Sequence, residues 1–330
     1  MRISRRRALT ALGAAVVLPA ISACSTTPSE QADSTVMLDW VPNTNHTGLY
    51  VAQAQGLYNQ HNLSVKIVEP GAGGVELAVA SGAADFGISY QEQVTLARAE
   101  GVPITSIAAV IQQNTSAFAS PVDRRIRRPR HFEGMRYGAF GYGSERQVLT
   151  ALMQCDGGDF SKIEFVDIGA TDFFVAWERG DVDFIWIFEG WDGIKAQQRG
   201  VELDFIRLHE NECVPNFYTP VIVTSEKMIV EKPDVVQRFT RAVKQGYDFA
   251  IREPQAAAEI LIGATEGLDA GLVRQSQPWL SQRYAEGASR WGEQKQTIWS
   301  TYAKWLVDHG LLKRVINPAN AFTNEFIKNA

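Results

Sequence analysis

A chain of 330 residues with 32 Lys and Arg against 37 Asp and Glu has a formal net charge of −5, which leaves no basic footprint for nucleic acid. Its 45% hydrophobic share is that of ordinary globular material, and the length suffices for two lobes with separate cores. Neither its three cysteines nor its five histidines fall at metal-like spacings, so no metal and no cofactor is expected.

In chain order, Arg2, Arg5, Arg6 and Arg7 form a basic block, and Ala8 to Ala20 is an uncharged apolar run too short to cross about 30 Å of hydrocarbon comfortably. Ile21-Ser22-Ala23-Cys24 follows and resembles a bacterial lipobox, in which small residues admit the peptidase and the cysteine thiol accepts a diacylglycerol. Residues 1–23 are therefore expected to be a signal peptide, with Cys24 lipidated and first in the mature chain. Ser4-Arg5-Arg6-Arg7-Ala8-Leu9 also resembles a twin-arginine signal, with Ala8 where a large apolar residue is usual, so the export route stays open between Tat and Sec. Residues 24–34, rich in Ser, Thr, Pro and acids, read as a tether between membrane and domain.

The remainder alternates β-rich runs with amphipathic stretches, the pattern of an α/β protein with parallel-rich sheets. Val36–Trp40 is predicted as a strand, Gly48–Asn59 as a helix, Leu63–Val68 as a strand and Val75–Ser81 as a helix after the loop Gly71–Gly74. Val79–Ser89 is then echoed by Ala176–Trp186: in both a helix stops at glycine, two residues intervene, and Asp-Phe opens an apolar strand. Such a repeat implies one copy in each lobe, with the strand ends Tyr90-Gln91 and Phe188-Glu189 facing a shared cleft. The boundaries expected are 35–121 and 221–330 for one lobe and 122–220 for the other. A strand Tyr218–Thr224 precedes a helix Pro233–Arg252, whose Val235, Val236, Phe239, Ala242, Val243, Gly246 and Phe249 form an apolar stripe. The chain then runs helically to Ala330 with Trp279, Trp291, Trp299 and Trp305. Cys155 and Cys213 are expected as two buried free thiols, with a disulfide as the alternative.

Leu38-Asp39-Trp40-Val41-Pro42-Asn43-Thr44-Asn45-His46-Thr47-Gly48-Leu49-Tyr50-Val51-Ala52, followed by Gly56-Leu57-Tyr58, resembles the opening of solute-binding proteins that serve ABC importers of thiamine pyrimidine precursors. The glycine turn before Asp85-Phe86, the stretch Phe188-Glu189-Gly190-Trp191 and the terminal Ala321–Phe326 are similar to the same group. The resemblance implies a type II periplasmic-binding-protein fold, a ligand such as formylaminopyrimidine or hydroxymethylpyrimidine, a membrane permease as partner, and a monomer. The related fungal pyrimidine synthases use a lysine and a histidine after the Asp-Phe turn and a later cysteine-rich cluster. Here Ser89 and Gln93 stand at the first two positions and Cys213 has no neighbouring cysteine, so the resemblance implies binding rather than synthesis.

An aminopyrimidine offers an amine beside a ring nitrogen, an edge that a carboxylate can meet with two hydrogen bonds, and a flat face that aromatic rings can stack on. Asp39 and Glu189, each at the expected carboxyl end of a strand, are the candidate carboxylates; a helix cap is the alternative for Asp39, and a surface or cap role for Glu189. Trp40, Tyr90 and Trp186 are the candidate rings, with one of Trp186 and Trp191 expected in the cleft. Asn43, Asn45 and His46 form a polar loop that could donate to a ligand or simply turn the chain. Phe140-Gly141-Tyr142-Gly143-Ser144-Glu145, before a helix Arg146–Gln154, could bind an acceptor group through free amides at Gly141, Tyr142, Gly143 and Ser144, or serve as a plain turn. It lacks a Walker lysine. The basic run Arg124 to Arg130 reads as a solvated connection into the second lobe, with a headgroup or permease contact as the weaker reading.

Overall fold

The computed structural model describes residues 31–71, 73–169, 173–312 and 316–330; the signal segment, Cys24 and most of the tether lie outside the described residues. Among the described residues ten strands, β1 (Ala32–Met37), β2 (Leu63–Val68), β3 (Phe86–Ser89), β4 (Ile104–Ala109), β5 (Ser116–Pro121), β6 (Arg136–Ala139), β7 (Glu164–Asp167), β8 (Phe184–Phe188), β9 (Leu203–Arg207) and β10 (Val221–Ser225), form two sheets. Their orders are β2-β1-β3-β10-β4 and β7-β6-β8-β5-β9. In each, three parallel strands are extended by an antiparallel strand and then an edge strand. β3, β4 and β10 are buried on both faces, which is why they read as nearly unbroken apolar runs.

The repeated glycine turn is equivalent in both sheets down to single hydrogen bonds. Gly82 and Gly180 end their helices in the left-handed region at φ 80 and 73. Asp85 then donates its amide to Thr35 O (2.9 Å) and accepts the Thr35 amide at Oδ2 (2.8 Å). Asp183 does the same with Arg136, at 2.8 and 2.9 Å. The aspartate thus ties the third parallel strand to the first in each lobe.

Several boundaries differ from expectation. β1 begins at Ala32, inside the expected tether, because Ala32, Asp33 and Ser34 pair in register with Leu63, Ser64 and Val65. The predicted helix Gly48–Asn59 is broken into Thr47–Ala54 and Leu57–Gln60, where Gly56 takes φ 68. The crossing to the second sheet comes before residue 121, since β5 pairs with β8 and β9. β10 returns the chain to the first sheet after the cis bond Thr219-Pro220. The cysteines are not free thiols: Cys155, at the end of the helix Gly143–Cys155, is bonded to Cys213 across a sequence separation of 58.

The first lobe's core gathers under the helix Pro233–Arg252, whose stripe is buried but for the half-buried Phe249. This helix packs so closely on Thr47–Ala54 that a Cβ at Gly246 would sit 2.0 Å from Gly48 O. The second lobe closes over Phe118, Phe132, Tyr137 and Phe184, with Phe132 and Phe184 stacked at 4.1 Å. The helix Gln296–Asp308 serves both lobes: Trp299 and Ala303 enter the core beside β10, and Tyr302, Trp305 and Leu306 enter that of the second lobe.

Candidate functional site

Between the lobes the strand ends present a recess of aromatic rings and carboxylates. Asp39 follows β1, is only 5% exposed, and sits at the centre of a hydrogen-bonded unit. Its Oδ1 is 2.6 Å from His46 Nε2 and its Oδ2 accepts from Tyr90 Oη at 2.5 Å. Because His46 Nδ1 accepts the Asn43 amide (3.2 Å), the imidazole carries its proton on Nε2 and donates to Asp39. Burial pushes the Asp39 carboxyl up, but His46 and Tyr90 more than offset it and hold the group below its ordinary value. His46 is fully buried and Asn43 caps the short helix Thr44–His46 through the Asn45 amide (2.9 Å). Both therefore stand behind Asp39 and orient it; they do not front the recess.

Tyr90, the N-cap of the helix Gln91–Ala99, carries the site across to the second lobe. Its ring lies 6.1 Å from Phe188 and 6.3 Å, edge-on, from Tyr142. Trp40 meets Phe140 edge-on at 6.1 Å, and Gln93 Nε2 donates to Ser144 Oγ at 3.0 Å. These contacts each join one lobe to the other.

Two adjoining cavities share Tyr90, Gln93, Phe140 and Tyr142. The outer, of about 430 Å³, adds Asp39, Trp40, Glu76, Ser89 and Gly141; the inner, of about 60 Å³, adds Glu92, Ser144, Glu145, Trp186 and Phe188. The outer volume is that of a small-molecule site. Among the described residues neither cavity is lined by lysine or arginine. The local field is negative: the Tyr142 phenol is pushed up to about 12 by burial, with the carboxylates of Asp39, Glu76, Glu145 and Glu92 adding to it.

The structure thus brings together Asp39, Trp40, Tyr90, Gly141, Tyr142, Ser144 and Trp186 of the residues singled out in the sequence. Gly143 is exposed at the start of its helix and lines neither cavity. The acceptor-binding reading of this turn meets a physical obstacle. Glu145 reaches back and accepts the amides of Phe140 (3.0 Å), Gly141 and Tyr142 (2.9 Å each), together with the Tyr137 hydroxyl (2.7 Å). Those donors are filled by the chain itself.

Glu189 lies apart from the aromatic recess. Both its oxygens accept from Arg207 Nε at 2.9 Å, and it lines a separate surface hollow of about 690 Å³ with Phe205 and Trp279. The turn Glu189–Gly193 is π-helical and packs Gly190 against Trp279, and Trp191 packs against the first lobe's core. Of Trp186, on β8, and Trp191, in this turn, it is Trp186 that lines the cleft. The basic run is largely neutralised: Arg124 pairs with Asp183 and Arg127 with Asp204, each at 3.2 Å, and Arg128 pairs with Asp156.

Sequence reasoning passed over Glu76, Glu92, Phe140 and Phe188. Phe188 was named as a strand end, and Glu92 stood two residues past the other strand end, a position that could have been read as facing the same cleft.

The solved alkanesulfonate-binding protein SsuA from Xanthomonas axonopodis pv. citri, bound to MOPS, matches with a TM-score of 0.70 at 16% identity, over 90% of this chain and 99% of that one. With the two five-stranded sheets this defines the fold as that of the two-lobed periplasmic binding proteins. The NMT1/THI5-like family model matches residues 43–257, and the chain belongs to that family. Among its relatives, the formylaminopyrimidine-binding protein of Halalkalibacterium halodurans is 26% identical over 88% of this chain and 89% of its own length. The 4-amino-5-hydroxymethyl-2-methylpyrimidine phosphate synthase of Legionella pneumophila is 26% identical over 73% of this chain and 76% of its own.

Proposed function

We propose that the chain is an exported solute-binding protein of an ABC importer, lipidated at Cys24, that captures a thiamine pyrimidine precursor such as formylaminopyrimidine or hydroxymethylpyrimidine between its lobes. The observation that carries the reading is a recess built from aromatic rings and carboxylates, with no lysine or arginine among its described lining residues. Rings present faces for a flat heterocycle, and carboxylates accept from its amine. A sulfonate would meet repulsion from Asp39 and Glu76 without a compensating cation among the described lining residues. The formylaminopyrimidine-binding relative favours the same ligand class. The disulfide favours an oxidising compartment, in keeping with export.

Binding is favoured over synthesis because Ser89 and Gln93 bring neither an amine nor an imidazole to the strand end. Ser89 donates to Glu76, and Gln93 bonds Ser144 across the cleft. Calorimetric titration of the purified protein with the two pyrimidines, thiamine and an alkanesulfonate tests the reading. Saturable binding of a pyrimidine without turnover is expected, and Tyr142→Ala should weaken it by about 1–2 kcal/mol through lost ring contact. Saturable binding of the alkanesulfonate alone would overturn it.

A further inference from the structure

We propose that Glu92 is a ligand-recognising carboxylic acid of the cleft, which meets the amidine-like edge of the heterocycle as a neutral donor and acceptor, with the Trp186 indole N–H as a second donor beside it. The proposal rests on the pyrimidine reading above and adds to it a residue and a proton inventory.

Glu92 is only 5% exposed, is the second residue of the helix Gln91–Ala99, and lines the inner chamber. Its own backbone amide engages the carboxyl, while Oε2 has no hydrogen-bond partner among the described residues. Trp186 lines the same chamber, and its Nε1 is likewise buried and without a partner. A buried polar atom left unpaired costs about 1–3 kcal/mol, so two of them on side chains that line one small chamber mark a place where polar atoms of another molecule belong. The chamber and the outer recess share Tyr90, Gln93, Phe140 and Tyr142 as walls, which sets the edge of a ring in the recess beside the chamber.

The groups facing Glu92 are Glu76 from the helix Val75–Ser81, Tyr90 at the end of β3, Tyr142 and Glu145 from the second lobe, and Tyr302 from the helix Gln296–Asp308. The Glu76 carboxylate opposes its ionisation, and its own backbone amide favours it. Burial, with the Glu76 carboxylate adding to it, pushes Glu92 up to about 8. At neutral pH it is therefore a carboxylic acid with one O–H and one C=O. An aminopyrimidine edge is the complement: the ring nitrogen accepts the O–H, and the amine donates to the carbonyl. No net proton is exchanged on binding near neutrality. Above about pH 8 the free protein has lost that proton, and a neutral ligand binds only with uptake of one from solvent.

The test is calorimetry of the two pyrimidines against wild type, Glu92→Gln and Glu92→Leu between about pH 6 and 10, in buffers of differing ionisation enthalpy, with melting curves to verify folding. Wild type should hold its affinity near neutrality and lose about tenfold per pH unit above about 8, with proton uptake on that limb. Glu92→Gln, whose amide still offers one donor and one acceptor, should keep the neutral-pH affinity within about threefold and lose the alkaline limb. Glu92→Leu should bind at least about 30-fold more weakly. A wild-type affinity that is flat through pH 8, or both variants binding as wild type does because solvent alone satisfies Oε2, overturns the proposal while the pyrimidine reading stands. Wild type binding no aminopyrimidine at all overturns both.

Discussion

At the scale of single residues, Asp39 shows how the site is held in shape before any ligand arrives. Its two oxygens are committed to His46 and Tyr90, and the His46 tautomer is set in turn by the Asn43 amide. Since the folded carboxyl lies below its ordinary value of 3.8, its stabilisation is present above that pH and is lost as pH falls through the depressed value. Removing the imidazole leaves Oδ1 of a buried carboxylate without its donor while Tyr90 still holds Oδ2, so His46→Ala should cost about 1–3 kcal/mol at pH 7. Urea unfolding of the variant checks this. A loss below about 0.5 kcal/mol would mean that Asp39 does not depend on the imidazole. In the sequence His46 was legible as a polar loop residue, but its burial was not, because nothing local to residues 43–46 shows that Tyr247, Ser276 and Tyr284 close over them.

Among the elements, the contact of Thr47–Ala54 with Pro233–Arg252 depends on two glycines meeting backbone to backbone. A methyl at Gly246 would lie 2.0 Å from Gly48 O, and one at Gly48 2.2 Å from the Tyr247 ring. Gly246→Ala should therefore destabilise by about 1–3 kcal/mol through forced separation of the helices. Gly263, in the helix Pro254–Ala264, has nothing within 4 Å of the position a Cβ would take. Alanine there should instead stabilise by about 0.5–1 kcal/mol. Chemical denaturation of the two variants side by side reads the difference, and equal effects would refute the close-approach account. The disulfide acts at the same scale. It closes a loop of 58 residues and on chain-entropy grounds contributes about 4 kcal/mol.

For the whole molecule, the contacts between lobes fall in two regions: the rings and side chains of the recess, Trp40 with Phe140, Tyr90 with Tyr142 and Phe188, and Gln93 with Ser144, and the turn Glu189–Gly193 against the helix Ala270–Ser281, where Ser276 Oγ donates to Gly190 O. Two chain crossings and the shared helix Gln296–Asp308 join the lobes away from these rings. Such a layout suits rotation about the crossings, with ligand bridging the rings and favouring the closed form. Small-angle scattering should show a smaller radius of gyration with saturating pyrimidine than without. Identical profiles at saturation would rule out ligand-linked closure.

What the sequence determined by itself was everything set by neighbours along the chain. The alternation of strands and helices, the glycine turn before Asp85-Phe86 and its copy before Asp183-Phe184, and the stripe on Pro233–Arg252 all follow from local periodicity and backbone freedom. Tyr90, Tyr142 and Trp186 were also legible, because strand ends and glycine turns of this fold class point to a cleft. Only the tertiary structure decided which polar groups find partners. It joined Cys155 to Cys213, turned Glu189 onto Arg207, filled the Gly141 turn with Glu145, and left Oε2 of Glu92 without a partner among the described residues. Each of these depends on packing that brings side chains together from separate elements, and hydrogen bonding acts at a reach of about 3 Å that spacing along a chain does not encode.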